Sequence, residues 1–562
     1  MSRMRRALVF ASAVIIWILL ADNGLTAENA DQALLKEDTA CRELTKLPNL
    51  TILSAELVAA ADSTPQYCHV RGLISPAILW HMQLPLPANW NGRLLNIGNG
   101  GKAGSLVFAD DRVAQGYAVA NSNTGHDNGS EPGASFAFNN RQAEIDYGYR
   151  AVHLTANASR TLVKAYYGKD SRYAYFEGCS NGGRQGMMEA QRFPYDFDGI
   201  VAGAPVLNYQ ALNASNVWTL QRMFLGNFAG NLAFDIKHDG SYASLTKFHL
   251  LQSAVLAKCD GNDGIHDGVI DDPLSCDFNP IVDLEGKMCA RDVNGDDCFT
   301  RLQVHTIKDL YDGARDSKGV RVLKGRSLGS ESHWPATFIP HAGNSLTPSR
   351  FGVSEDHVNY FFYEKDPGVS MPNRTDLAAT PDRKGALPEF AWWEFNIDDL
   401  TAGKADFMKT ITDATDPDLT RFLLRKNGKL IIYHGWADAG GALPEVTLDY
   451  YKDVMTTTFK GDTNAARTRA RLFLAPGMEH CGGGPGPNEW DKLAPLVDWV
   501  EQGKAPDYVV AIHRSAGRND GSAGEATNER KICAYPQRAV YTGPAGRQDN
   551  PANWTQSNFT CR

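Results

Sequence analysis

The chain has 562 residues, of which 43% are hydrophobic and 22% charged, a composition that suits a folded globular protein and excludes a disordered one. Its formal net charge is -9, so neither nucleic acid nor an anionic membrane surface is expected as a partner. The 52 glycines and 27 prolines are scattered and build no repeat.

In chain order, Arg3, Arg5 and Arg6 precede an apolar run over 7–21 and a polar stretch ending at the small residue Ala27. That pattern predicts a signal peptide over 1–27, and the run is short for a membrane span, which needs about 20 residues. The mature protein is therefore expected to be secreted or periplasmic, with no membrane partner. The ten cysteines suit such an oxidising compartment. Nearest-neighbour pairing would join Cys41 with Cys68, Cys259 with Cys276, Cys289 with Cys298 and Cys533 with Cys561, leaving Cys179 and Cys481. Spacing alone does not fix that connectivity.

Over 94–205 apolar runs alternate with helical patterns. Strands are expected at 93–98, 116–120, 173–176 and 199–202, and helices at 150–167 and 183–192. The alternation resumes with strands at 429–434 and 471–474 and helices at 443–451 and 490–502. Between these blocks it fails, giving way to aromatics, turn residues and Asp-rich loops. The reading is an α/β fold with a mostly parallel sheet, interrupted by a large inserted lid. Its parts are the first sheet block over 28–206, the lid over 207–420 and the second block over 421–562.

Gly178-Cys179-Ser180-Asn181-Gly182 fits the G-x-S-x-G nucleophile elbow, with a strand before and a helix after, as in the α/β-hydrolase fold. A serine hydroxyl needs a base, and the base needs an orienting acid. In this fold they follow in the order Ser, Asp, His on loops after later strands, which selects Asp438 and His480. His434 and His126 are rival bases. His434 is expected to be structural, being too near Asp438 on one strand end to face it. A bridge between Cys179 and Cys481 would hold Ser180 and His480 together, because a disulfide keeps its two Cα atoms about 4.4–6.8 Å apart. The oxyanion is expected to meet the N–H of Asn181 and one from Gly98-Asn99-Gly100-Gly101-Lys102, with Gly101 ahead of Gly100.

With these residues the chain resembles the tannase/feruloyl esterase family, which includes the bacterial mono(2-hydroxyethyl) terephthalate hydrolase. The resemblance rests on Gly178-Cys179-Ser180-Asn181-Gly182-Gly183, Asp438 and His480-Cys481. It extends to Asn121-Ser122-Asn123-Thr124-Gly125-His126 and to the run from Phe197 to Pro205, covering essentially the whole mature chain. It implies a serine carboxylesterase acting on small aromatic esters of hydroxycinnamic or gallic type. Terephthalate monoesters are the narrower alternative, and a silent calcium-stabilised binding protein on the same scaffold is the remaining class. The run Ala439-Gly440-Gly441-Ala442-Leu443-Pro444 is longer and richer in glycine than the resemblance leads one to expect.

The loop after Cys259 offers Asp260, Asp263 and Asp267 between glycines, an oxygen-donor set for a hard cation. The resemblance implies that the cation is a structural Ca2+ and that the carbonyls of Ile265 and Val269 complete its shell. Lid aromatics (Trp218, Trp334, Phe338, Trp392, Trp393 and Phe395) could sandwich a flat aromatic acid, although each is better explained as lid core.

Overall fold

The structure is a computed structural model that describes residues 32, 35–61, 63–237, 241–339, 356–368, 394–515 and 524–562. The expected signal peptide and the lid residues Trp392 and Trp393 lie outside the described residues. Among the described residues no helix is long and apolar enough to cross a membrane.

A nine-stranded sheet organises the chain. Its strands are β1 (Thr51–Val58), β2 (Tyr67–Ile74), β3 (Ile78–Pro85), β4 (Arg93–Ile97), β5 (Ala118–Ser122), β6 (Tyr173–Cys179), β7 (Gly199–Gly203), β8 (Lys429–Gly435) and β9 (Ala470–Ala475). They lie in the order β1-β2-β3-β5-β4-β6-β7-β8-β9. β5, β4, β6, β7, β8 and β9 run parallel, and β1 to β3 join as an antiparallel meander against β5. The sequence reading assigned no strand to that meander.

Period-2 alternation gives the sheet two apolar faces. On β8, Leu430 and Ile432 enter one core with Leu162, Met187 and Leu472, while Ile431 and Tyr433 enter the other with Tyr175, Val201 and Trp499. Helices cover both faces: α1 (Ala151–Tyr167), α2 (Asn181–Arg192), α3 (Tyr209–Phe224), α4 (Thr246–Cys259), α5 (Pro444–Phe459) and α6 (Ala494–Gln502). Of these, α1, α2 and α5 pack on the first core and α6 on the second, whereas α3 and α4 stand apart from the sheet. This is the α/β-hydrolase arrangement expected from the elbow and the element order.

The described residues between 204 and 428 contribute no strand to the sheet, although β7 and β8, which this segment separates, are direct neighbours. They close around their own core, in which Phe224, Phe248, Leu251, Trp334 and Phe361 are buried. Trp218, Phe338 and Phe395 are buried there too, so the described lid aromatics serve as packing. Beyond α6 the strands β10 (Tyr508–Arg514) and β11 (Ala526–Cys533) form a separate antiparallel pair.

Candidate active site

At the end of β6 the backbone turns so sharply that Ser180 sits at φ 65°, ψ -125°. A left-handed, non-glycine conformation of this kind costs of order 1–3 kcal/mol and survives only where its surroundings enforce it. The enforcement is visible in the spacing of backbone segments. A Cβ on Gly178 would stand 2.7 Å from the backbone of Gly182, and one on Gly183 would overlap the Gly203 carbonyl. Only glycine allows strand, turn and helix to approach so closely. Ser180 thereby precedes α2, whose N-terminal end carries the partial positive charge of the helix dipole.

The partner residues lie on the loops after β8 and β9. His480 Nδ1 is 2.5 Å from Asp438 Oδ2, and Asp438 is fully buried. Its carboxylate accepts backbone N–H bonds from Gly440 (3.3 Å), Gly441 (2.9 Å) and Ala442 (3.1 Å). His434 Nε2 stands 3.2 Å from the same Oδ2, with His434 Nδ1 2.9 Å from Thr447 Oγ1. Burial works against the charge on Asp438, but the attraction and hydrogen bonds of His480 and His434 outweigh it and hold the carboxyl well below its usual range. For His434 burial dominates and lowers its pKa. His434 is fully buried, and contrary to expectation it does face Asp438. The correction follows from the turn at Trp436-Ala437, which folds Asp438 back over the end of its own strand.

The unexpected glycine run has a physical explanation. It presents three successive N–H groups to one carboxylate, and a Cβ on Gly441 would overlap the His480 ring. The rival base His126 is buried, stacks on Phe136 at 3.7 Å, and is pushed by burial down to about 4, far from a working base at neutral pH.

All five disulfides join the nearest-neighbour partners and the remaining pair, Cys179 with Cys481. Across the last, the Cα atoms are 6.0 Å apart, so the residues flanking Ser180 and His480 are covalently adjacent although 302 positions separate them. Replacing both cysteines by alanine is expected to cost about 2–5 kcal/mol of stability, measured by urea unfolding. A loss below 0.5 kcal/mol (on the order of the error of such measurements) would show that loop packing alone holds the site.

Gly101 has φ 56°, and its carbonyl accepts a hydrogen bond from Tyr147 Oη at 2.9 Å. The glycine loop is fastened to α2 twice: Asn181 Nδ2 donates to the Asn99 carbonyl (3.2 Å) and Gln185 Oε1 accepts the Asn99 N–H (2.9 Å). Asn181 and Gly101, the expected oxyanion donors, thus belong to one hydrogen-bonded unit. Two parts of this unit escaped the sequence reading. Buried Arg184 bonds Asn181 Oδ1 (2.7 Å) and the carbonyls of Gly148, Tyr147 and Thr412, tying the elbow helix to the base of the insertion. Lys102 Nζ donates to Tyr209 Oη and lies 3.1 Å from His357 Nδ1. The signal for Arg184 was its place in the elbow run, four residues after Ser180 and so one helical turn along.

In the acidic loop, Asp260 accepts the N–H groups of Asp267 and Gly268, Asp263 that of Ile265, and Asp267 that of Val269. Arg530, which no local pattern near the loop announces, reaches in from β11 and donates to Asp267 (2.6 Å), Asp271 (3.0 Å) and Asp263 (3.4 Å). All three side chains are at most 8% exposed, and Arg530 is 3% exposed. One guanidinium cannot neutralise Asp260, Asp263, Asp267 and Asp271 together. The surplus negative charge and all-oxygen donors fit a hard cation.

The sequence pattern of tannase and feruloyl esterase matches residues 63–554. Mono(2-hydroxyethyl) terephthalate hydrolase of Piscinibacter sakaiensis is 33% identical over 90% of this chain and 87% of its own. Feruloyl esterase B of Aspergillus niger is 28% identical over 91% and 93%. The crystal structure of feruloyl esterase B from Aspergillus oryzae superposes with a TM-score of 0.74 at 24% identity, covering 94% of this chain and all of that one, and so shares its fold. By a pattern that spans the elbow, the acidic loop and both partner loops, the chain belongs to the tannase and feruloyl esterase family of carboxylic ester hydrolases.

Proposed function

We propose that this enzyme hydrolyses esters of aromatic hydroxy-acids, hydroxycinnamoyl or galloyl in type, through a Ser180–His480–Asp438 triad and an acyl-enzyme. The observation that carries the reading is the His480–Asp438 pair at 2.5 Å, bridged by Cys481–Cys179 to the residue before an elbow serine. Ser180 Oγ attacks the ester carbonyl carbon while His480 Nε2 accepts its proton. Asp438 keeps the Nδ1 proton of His480 in place and stabilises the imidazolium. The oxyanion takes hydrogen bonds from the N–H groups of Asn181 and Gly101. As the tetrahedral adduct collapses, the C–O bond to the alcohol breaks and His480 returns the proton to the leaving oxygen. A water, deprotonated by the same imidazole, then releases the acid and regenerates Ser180. The aromatic acyl preference is supported by relatives whose names specify feruloyl and terephthalate esters.

A terephthalate monoester is the second reading, favoured by the relative at 33% identity. Acid release from methyl ferulate, methyl gallate and a terephthalate monoester tests both. Turnover of the first two, at a kcat/KM at least tenfold above the third (about 1.4 kcal/mol of discrimination), is the expected result. The reverse order selects the monoester, and no turnover of any of the three overturns the aromatic-acid assignment.

For the acidic loop the proposal is a structural Ca2+ held by Asp260, Asp263 and Asp267 with the carbonyls of Ile265 and Val269. When bound it supplies charge compensation and stiffness to the insertion, and takes no part in ester chemistry. Chelation is expected to lower Tm by a few degrees, consistent with about 2.7 kcal/mol at one hundred times Kd, and added Ca2+ should restore it. An unchanged Tm after exhaustive chelation would remove the ion from this loop. A mature enzyme outside the cytoplasm is the accompanying proposal, supported by the five disulfides and by the expected signal peptide.

A further inference from the structure

His153 in the first turn of α1, Glu189 in α2 and Asp196 in the loop leading to β7 converge behind the elbow helix. Each offers one ligand atom, and these atoms all lie within 4.8 Å of one another, a grouping found nowhere else among the described residues. His153 Nδ1 is 2.6 Å from Asp196 Oδ2. Its ring stacks on Phe193 at 3.8 Å and so has a fixed orientation. Asn157 Nδ2 lies 3.2 Å from His153 Nε2, which makes Nδ1 the proton-bearing nitrogen and the one that faces the carboxylates.

Glu189 is the second sign. It is 1% exposed, no N–H or O–H of a neighbouring residue reaches either of its carboxylate oxygens, and burial together with the adjoining Asp196 carboxylate pushes its carboxyl well above the usual range. A buried carboxylate without partners is costly, and its occurrence calls for a proton or a cation. Asp196 is engaged already, by His153 and by Arg160 at 3.4 Å. With neutral His153, the one guanidinium balances only Asp196, so Glu189 either holds a proton against Asp196 or gives it up to a cation. We propose that His153, Glu189 and Asp196 bind a divalent first-row transition cation of the Zn2+ type. The donor set of one imidazole nitrogen and carboxylate oxygens suits such an ion. The cation displaces the Nδ1 proton of His153 and the proton held by Glu189, both of which leave to solvent, so affinity rises with pH. Solvent reaches the cluster past His153, whose side chain is 27% exposed, and along a cleft lined by Arg160, Tyr195 and Lys426. Bound there, the ion clamps α1, α2 and the β7 loop together, remote from the nucleophile at the other end of α2.

The test uses the oxidised full-length mature enzyme, stripped with chelator and reloaded with excess Ca2+, titrated calorimetrically with Zn2+. One equivalent of Zn2+ should bind and raise Tm, with ester hydrolysis unchanged. His153→Gln and Glu189→Gln should each weaken Zn2+ binding at least about tenfold. Co2+ in the same protein should give a visible absorption band that His153→Gln abolishes. Absence of Zn2+ uptake by wild type, or uptake equal in both variants, overturns the proposal. So does Glu189→Gln that is more stable than wild type at pH 8 while wild type ignores Zn2+, because a proton alone then satisfies the cluster. Should Glu189→Gln fail to fold, the partly exposed His153 decides the matter.

Discussion

Ser180→Ala is expected to lower kcat by about 10^6-fold on any ester the enzyme accepts, with KM little changed. The alanine occupies the same strained φ 65° position that serine does, so the elbow, the disulfide and the Asp438–His480 pair should persist. What disappears is the atom that forms the acyl-enzyme in the proposed mechanism. Residual rate over water comes from the oxyanion donors and substrate positioning, worth about 10^3–10^4 in comparable enzymes. Steady-state kinetics, with covalent labelling of wild type by an organophosphonate, decide the point. If the alanine variant keeps more than a hundredth of the activity, or the label attaches elsewhere, another nucleophile does the chemistry.

Asp438→Asn should cost about 10^4-fold in kcat. The reason is the composition of the carboxylate's surroundings, in which its five close partners are three backbone N–H groups and two histidine nitrogens. A carboxylate accepts from all of them. An asparagine must place its NH2 either against the N–H groups of Gly440 and Gly441, which repel it, or against His480 Nδ1. The second choice makes Nδ1 an acceptor and puts the imidazole proton on Nε2, where it cannot take one from Ser180. Loss of kcat should therefore exceed loss of folding stability. A variant within tenfold of wild type would mean that His480 is oriented by the disulfide and the glycine run alone.

Much of this site was legible in the sequence because local rules act over short spans there. The elbow needs small residues within two positions of Ser180, and strand periodicity located β4 to β9 within a few residues. Element order then assigned Asp438 and His480. What escaped is what depends on distant chain segments meeting. The antiparallel strands β1 to β3 carry polar residues on inward positions, such as His81 and Gln83, which hid their alternation. Arg530 belongs to a hairpin far along the chain from the acidic loop that it enters. The Asp438–His434 contact is not expected of two residues so near on one strand end, whereas a tight turn makes it. Helix α5 runs to Phe459, beyond the expected stop at 451, because Lys460 in a left-handed conformation ends it and no glycine marks that end until Gly461. The expected helix over 490–502 begins only at Ala494, since Asp491 is used to cap the backbone N–H groups of Leu493 and Ala494 and to hold Arg112.

The insertion between β7 and β8 also sets a timetable for assembly. Parallel pairing of these strands requires the chain to close a loop of more than two hundred residues, an entropic cost that local helices do not share. During synthesis the elbow half can collapse first, as a sheet that ends at β7 with an exposed edge, while Asp438 and His480 are still to be made. On the proposed mechanism a half-made chain is thus an inert one. Its serine would be in place with no base to activate it, and Cys179 waits as a free thiol until Cys481 arrives. Correct oxidation of that thiol then reports that the two halves have met, so an export pathway that retains unpaired thiols would hold back the immature enzyme before it could act.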